Sequence, residues 1–504
     1  MTTDHDLLVE PLLSWRDAAR RRSKATLPGI LARLGSGELA DFPRVRAHQF
    51  HPWCMFLTQL AAIALHRAGQ EDPARSEEEW TSLLLGLTGG DQEPWCLVVD
   101  DLSKPGFFQP PVPEGSIDEW NSDKSPVPDL LDVLATAKNH DVKQHTTHAD
   151  DRELWVYALC TLQTTQAFYG AGNWGIARKF KGYGTRVRVG LSRSLGVSDQ
   201  FQRDIAVMLD GWADVASQHG FREDGIALVW QEPWDGSESL QAGRLAPHFI
   251  EVCRRIRLTQ RAHLLGCRTT PTKVARCMHR IVETGDVGDP WIPIRRENAA
   301  ALNLGARGVH YELTADVLFG TSYKEAATQR VRAEDPDAML FTIAALARGE
   351  GATEGLHQRI LPLSKSVKWR LRQRGGRDAV GRRASQNVER AKRMGAAVLS
   401  PAVTKLSLGT KQKKDFAKNA MREFESQVDD VFFNDLFAML ESADDEAQLA
   451  WDRRLHGIAA LELQRAINRC CVPSSRWYHA VSDAESVFHG CLNKQFPTLV
   501  SSSK

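Results

Sequence analysis

Leu363-Ser364-Lys365-Ser366-Val367-Lys368 divides the 504-residue chain into two kinds of sequence. Beyond it, glycine becomes rare after Gly395 and apolar residues recur at helical spacing. Phe416, Met421, Phe424, Val428, Val431, Phe432 and Leu436 mark one long helix. Leu449, Trp451, Leu455, Ile458, Leu461 and Ile467 mark a second; Trp477, Val481, Ala484, Val487, Phe488 and Leu492 mark a third. With a basic helix near Arg377 to Val398, and turns at Ser400-Pro401, Asp444-Asp445-Glu446 and Pro473-Ser474-Ser475, four helices result. A four-helix bundle is the simplest arrangement that buries four such stripes.

Before that boundary helix and strand signals mix. Leu27 to Leu31 reads as a turn into a short helix. Pro52 stands where a first helical turn tolerates proline, ahead of Trp53, Phe56, Leu60, Ile63 and Ala64 at helical spacing. Trp95 to Val99 fits a buried strand, and the prolines of Lys104 to Pro113 forbid regular structure. Leu154 to Phe168 reads as a helix, while Ile226 to Trp230 and Phe249 to Leu258 read as strands. Asp335-Pro336 followed by Ala338 to Ala347 reads as a helix closed by Arg348-Gly349-Glu350-Gly351, a glycine-rich linker. The expected fold class is α+β: a mixed domain over 1–364, then a helical bundle over 365–504. That is within the two to four domains this length implies.

Bulk properties narrow the function. The composition, 42% hydrophobic and 25% charged, is that of a soluble globular chain. No apolar run approaches the ~20 residues that span a bilayer, and the acidic N-terminus is no signal peptide, so a cytoplasmic protein with no membrane partner is expected. Nine cysteines without a CxxC suggest neither a zinc knuckle nor a disulfide framework. The formal net charge of +1 hides segregation: Lys365 to Arg393 holds eleven Lys or Arg against two acids, and Arg178 to Arg193 holds six against none. Such stretches serve equally as solvated faces or as phosphate-binding surfaces.

Catalytic signals are sparse. His140, His145, His148, Asp150 and Asp151 have the residue types of a metal site but no standard ligand spacing, and Asp100-Asp101 has no partner motif. No Walker lysine, GxSxG, HExxH or HNH-type run occurs. The expectation is a chain that is not an enzyme and takes no metal or cofactor; the alternative is a metal-dependent nuclease using His140, His145 and His148. More informative is Gly170-Ala171-Gly172-Asn173-Trp174-Gly175, which follows a helix and therefore fails as a dinucleotide fingerprint. Without Cβ atoms its backbone can approach a groove floor closely. Arg178, Lys179, Lys181, Arg186 and Arg188 beside it could hold phosphates while Asn173 faces a base edge. A plain structural turn reads the same way.

Taken in order, several segments resemble one family. They are Leu27 to Leu31, Trp95 to Pro113 with its Lys104-Pro105-Gly106-Phe107-Phe108-Gln109-Pro110-Pro111, and Lys138-Asn139-His140-Asp141. Gly170 to Arg178, Gly288-Asp289-Pro290-Trp291 and Arg348 to Gly355 complete the set. Together they resemble the CasA family, the large subunit of the type I-E CRISPR Cascade. The likeness covers most of residues 5 to 365; the helical tail matches only in kind.

The resemblance implies a guide-RNA-directed DNA surveillance role in antiviral defence. It implies binding of CRISPR RNA, of target double-stranded DNA, of the backbone, small and guide-end subunits of Cascade, and of a recruited helicase-nuclease. It places motif reading from the minor groove at Gly170, Gly172 and Asn173, and a duplex-opening wedge at Gly349, Glu350 and Gly351. It places the loop anchoring guide RNA and complex at Lys138, Asn139, His140, Lys143 and Gln144, and a further groove contact among Lys273, Arg276 and Arg280. The basic Lys368, Arg370, Arg372, Arg382 and Arg383 would then follow DNA backbone. Departures exist: some relatives carry polar amides at the wedge, and some carry a zinc-suited cysteine cluster absent here.

Overall fold

The computed structural model describes residues 3–122, 127–133, 148–179, 184–279, 283–349, 352–373, 375–407, 410–440, 444–470 and 472–501. They fall into two compact units, Met1–Val309 with Ser322–Lys365, and His310–Thr321 with Ser366–Lys504.

The first unit is organised around the helix Ala47–Arg67. Trp53 to Leu65 contains no charged residue, so no face is suited to water, and every one of those side chains is buried. Pro52 lies inside this helix and not in its first turn: the helix starts at Ala47, where the Gln49 side chain accepts from the Arg46 amide at 3.2 Å. The helices Glu77–Leu87, Arg152–Thr165 and Val197–Asp210 pack against it. The proline-rich segment has no regular structure, yet it delivers Phe107 and Phe108, both fully buried, to a cluster with Phe56 and Trp230. Such aromatic pairs add about 0.5–1.5 kcal/mol each beyond their burial.

Strands in this unit form small sheets of two or three. The expected single strand Phe249 to Leu258 is two, Leu245–Ile250 and Arg255–Arg261. Between them the chain leaves the ladder to satisfy side chains: the Gln163 carbonyl accepts from the Cys253 and Arg254 amides, and Glu251 accepts from the Ala177 amide.

The largest departure is Ala338 to Ala347, which is not a helix. Met339–Gly349 is the central strand of a sheet, antiparallel to Arg188–Ser192 on one side and to Ala352–Leu363 on the other. Burial alternates along Met339 to Ala345, the period of a strand. The sequence hides that period because Leu340, Ala344 and Leu346, all good helix formers, stand on the alternate face where a half-buried strand would carry polar residues. Pairing with two neighbours overrides the local propensity. Arg348–Gly349 and Ala352–Gly355 accordingly belong to the paired end of a long hairpin and not to a linker.

The second unit holds four long helices, Gly376–Arg393, Thr410–Met439, Asp444–Asn468 and Ser474–Gln495. Phe424, Val428, Phe432, Leu436, Trp451, Leu455, Phe488 and Leu492 are all buried, as their spacing requires. Ser400-Pro401 is not a turn: the first helix runs on through a π turn, Met394–Leu399, into Ser400–Val403. Proline offers no amide to the preceding turn, and widened turns of this kind absorb such a defect. A shorter helix of this unit, Tyr311–Phe319, comes from well before the boundary. Tyr311 lies 4.8 Å from the Phe432 ring and Phe319 6.2 Å from Phe437.

Among the described residues no helix is long and apolar enough to cross a membrane.

Candidate nucleic-acid interface

After the helix Arg152–Thr165 the chain reverses through Gly170–Asn173, where the Asn173 amide donates to Gly170 O (3.0 Å) and the Tyr169 amide to Asn173 O (2.9 Å). Gly170 and Gly172 adopt φ of +92° and +79°, values that penalise any side chain. Gly170 and Ala171 are exposed, whereas the chain from Gly175 to Lys179 is buried. The turn is thus a surface feature on a rigid root.

A second turn is docked against it. The Thr272 amide donates to Gly172 O at 3.0 Å, and Trp174 Nε1 donates to Lys273 O at 3.1 Å. The Trp174 ring stands edge-on to His279 at 4.5 Å and lies 5.4 Å from Phe168. A third turn joins through the Lys273 amide, which donates to Gly236 O at 2.8 Å. Three segments about a hundred and about forty residues apart in sequence are therefore hydrogen-bonded into one surface, with the Lys273 side chain exposed on it.

The hairpin tip meets the same turn. Its register passes from Ala347↔Gly355 to Arg348↔Thr353, a bulge that leaves Glu354 without an opposite residue. Arg348 is buried, donates through Nη1 to Gln166 Oε1 at 2.7 Å, and places its guanidinium 4.9 Å from the centre of the Tyr169 ring. Of the wedge residues, Gly349 ends the strand; Glu350 and Gly351 lie outside the described residues.

Among its described residues, the stretch Arg178 to Arg193 does not offer a phosphate surface. Arg178 is 1% exposed, with Nη1 on Glu251 Oε1 at 2.8 Å, Nη2 on Phe249 O at 2.7 Å and Nε 3.1 Å from Asp289. Arg186 donates to Asp289 and to Gln59 Oε1, and Arg188 to Asp204 at 3.2 Å. Lys179 is buried with Nζ on Asn303 Oδ1 at 2.6 Å. The described guanidinium groups here are held in internal ion pairs, and Lys179 on a neutral amide, at the root of the glycine turn. Lys181 lies outside the described residues. A run of like charge in sequence is neutralised by acids far away in the chain, which no local reading detects.

Burial pushes the Lys179 ammonium down to about 7, because its charged form loses hydration. Since the folded pKa is below the unfolded value, the unfolded state binds more protons between pH 7 and about 10. Stability from this group therefore rises with pH across that window, by up to about 1.4 kcal/mol per pH unit, and is lowest below pH 7. Lys179→Met is expected to be more stable than the parent at pH 6, with the difference shrinking towards pH 10. Urea titrations of both proteins at several pH values check this; a gap that does not change with pH would contradict the assignment.

Of the groove candidates, Arg276 is buried, donates to Glu232 O and Pro233 O at 3.1 Å and lies over the Trp234 ring, so it holds a turn and does not reach a ligand. Arg280 lies outside the described residues, and Lys273 is exposed. In the second unit Lys368 is buried and Arg370 donates to Leu440 O at 2.7 Å, so neither presents a free face. Arg372 and Arg382 are exposed. Arg383 lines a cleft of about 620 Å³ with Gln386, Arg390, Arg393 and Gln448.

Lys138, Asn139, His140, Lys143, Gln144 and His145 lie outside the described residues. His148 and Asp150 are exposed and Asp151 pairs with Arg44. Among the described residues no three His, Cys, Asp or Glu side chains are placed to hold a metal. Asp101 accepts from the Ser103 amide and hydroxyl at 2.9 and 2.7 Å, as a solvated turn does. Sequence reasoning missed Trp174 and Thr272 as the residues that join the turns, and Arg348 as the one that ties the hairpin to the root of the glycine turn. Each acts on a partner roughly a hundred or more residues away, so only the fold reveals it.

Comparison with known proteins agrees on architecture. No family sequence model matches the chain, and no curated protein sequence is similar enough to count as a match. Solved structures do match. CasA (Cse1) of Thermus thermophilus is 14% identical with a TM-score of 0.66, over 98% of this chain and 100% of that one. Cse1 of Thermobifida fusca is 14% identical with a TM-score of 0.65, over 98% of each chain. A chain of a CRISPR RNA-guided surveillance complex in a pre-nicking state is 13% identical with a TM-score of 0.56, over 97% of this chain and 99% of that one. The chain has the CasA fold along nearly its whole length.

Proposed function

We propose that this chain, built on the CasA fold, is the large subunit of a type I-E CRISPR RNA-guided surveillance complex, and that its three docked turns read a short motif in duplex DNA. The observation that carries the reading is the docking of Gly170–Asn173 and Lys273 into one surface, with Arg348 of the hairpin bonded to the root of the same turn. Side-chain-free backbone at Gly170 suits close approach to the floor of the minor groove, and an exposed lysine beside it suits a phosphate or an acceptor there. In guide-directed systems base pairing with the RNA carries sequence specificity, so the protein needs only a short motif and a means of starting strand separation. The hairpin whose strands pair as far as Gly349 and Ala352 is the element for the second task.

The chain similar in fold within a surveillance complex supports a role as one subunit among several, with guide RNA, target duplex and a recruited helicase-nuclease as partners. In this reading the chain acts by binding and the nuclease is a separate protein. Lys138 to Gln144 anchor the guide RNA, and Arg372, Arg382 and Arg383 follow DNA backbone. The nuclease alternative gains no support from His148, Asp150 or Asp151, which form no metal-holding group among the described residues.

Two measurements test the reading. The chain should co-purify with a guide RNA and several smaller subunits when their genes are expressed with it. Lys273→Ala should then weaken motif-bearing duplex several-fold and lower the slope of log affinity against log salt by about one. A complex that forms without this chain, or a variant with unchanged affinity and slope, would refute it.

A further inference from the structure

The strand that leads into the hairpin tip carries a buried cation one residue before its end. Arg348 is 5% exposed, and the partners that define its position are Gln166 Oε1 at 2.7 Å and the Tyr169 ring at 4.9 Å. Both belong to the root of the glycine turn: Tyr169 donates its amide to Asn173 O, and Gln166 O accepts from the Ile176 amide at 3.0 Å across the base of the turn. The side chain gets there because of the bulge at Ala347/Arg348, which shifts the register of the hairpin by one residue just before its tip. Bulges re-aim the side chains next to them. One residue toward the tip, Gly349 begins the proposed wedge. A single guanidinium thus joins the element proposed to read the motif to the element proposed to part the strands.

We infer that Arg348 is a positioning residue that couples the two, so that seating the glycine turn on a duplex fixes where the hairpin tip enters it. The inference rests on the proposed function and deepens it. A guanidinium suits the task because it is planar and offers several donors in a fixed fork, so it can bond an amide oxygen and stack on a phenol ring together. A lysine keeps the charge but loses the plane. The link needs no part in holding the motif itself, since Gly170 and Lys273 are positioned through Asn173, Thr272 and Trp174 without it.

The test separates binding from opening in the assembled complex. Equilibrium affinity for a motif-bearing duplex is measured by gel shift. Strand opening is followed by fluorescence of 2-aminopurine placed next to the motif. Arg348→Met should keep affinity for a duplex too short to open within about threefold of the parent while slowing opening at least tenfold. Arg348→Lys should be intermediate. A duplex with mismatched, pre-opened bases beside the motif should restore the rate in Arg348→Met, which a general loss of stability would not do. Opening at the parental rate in Arg348→Met overturns the coupling, as does an equal loss of binding and opening that pre-opened DNA fails to rescue. If the parent itself neither binds nor opens motif-bearing DNA, it is the proposed function that fails, and the two results are distinct.

Discussion

Gly170→Gln is expected to lower affinity for motif-bearing duplex tenfold or more at fixed salt while leaving the fold and complex assembly intact. Nothing lies within 4 Å of where a Cβ on Gly170 would stand, so the added side chain projects into the space that the proposed ligand fills. Its cost to the free protein is backbone strain at φ +92°, about 1–2 kcal/mol. Gly172 behaves differently. A Cβ there would come within 2.5 Å of Pro271 Cβ, so even Gly172→Ala must displace one turn from the other. That variant should lose stability and binding together. Gel shifts and thermal melts on both proteins distinguish the cases. Parental affinity in Gly170→Gln would show that this face does not meet the duplex.

Asp289→Ala is expected to destabilise the first unit by about 3–5 kcal/mol, the usual consequence of stripping one partner from a buried ion pair. Its carboxylate serves two buried guanidinium groups, accepting from Arg186 Nε at 2.9 Å and standing 3.1 Å from Arg178 Nε, while Oδ1 accepts from the Trp291 amide at 2.9 Å. Glu251 remains to partner Arg178, but Arg186 would keep only the neutral Gln59 among its hydrogen-bonding side chains. Asp289→Asn retains an acceptor for Trp291 and should cost less. Urea denaturation measures the difference. A loss below about 1 kcal/mol would mean that water replaces the carboxylate.

These two sites also mark how far sequence alone reaches. The four long helices were legible because Phe424, Val428, Phe432 and their counterparts obey one period over many turns. The strand Met339–Gly349 was not, since Leu340, Ala344 and Leu346 on its alternate face are apolar and blur the alternation. At the proposed interface the exposed glycines could be picked out from their flanking helix and composition. The roles of the flanking cations could not. Arg178 and Arg276 look as available as Lys273 in sequence, and only the distant Glu251, Asp289 and Glu232 backbone decide that two are sequestered and one is exposed. Electrostatic pairing at long sequence separation leaves no local signature.

Tyr311–Phe319 belongs to the helical unit although the chain then returns to the other unit for Ser322–Lys365. The polypeptide crosses from one unit to the other three times, so no single proteolytic nick can release either intact. A nascent chain also exposes Tyr311, Val317, Leu318 and Phe319 on the ribosome well before Phe432 and Phe437 are made. The bundle cannot close before Asp444–Asn468 and Ser474–Gln495 are made, and a gene fragment starting at 366 would lack one of its own walls.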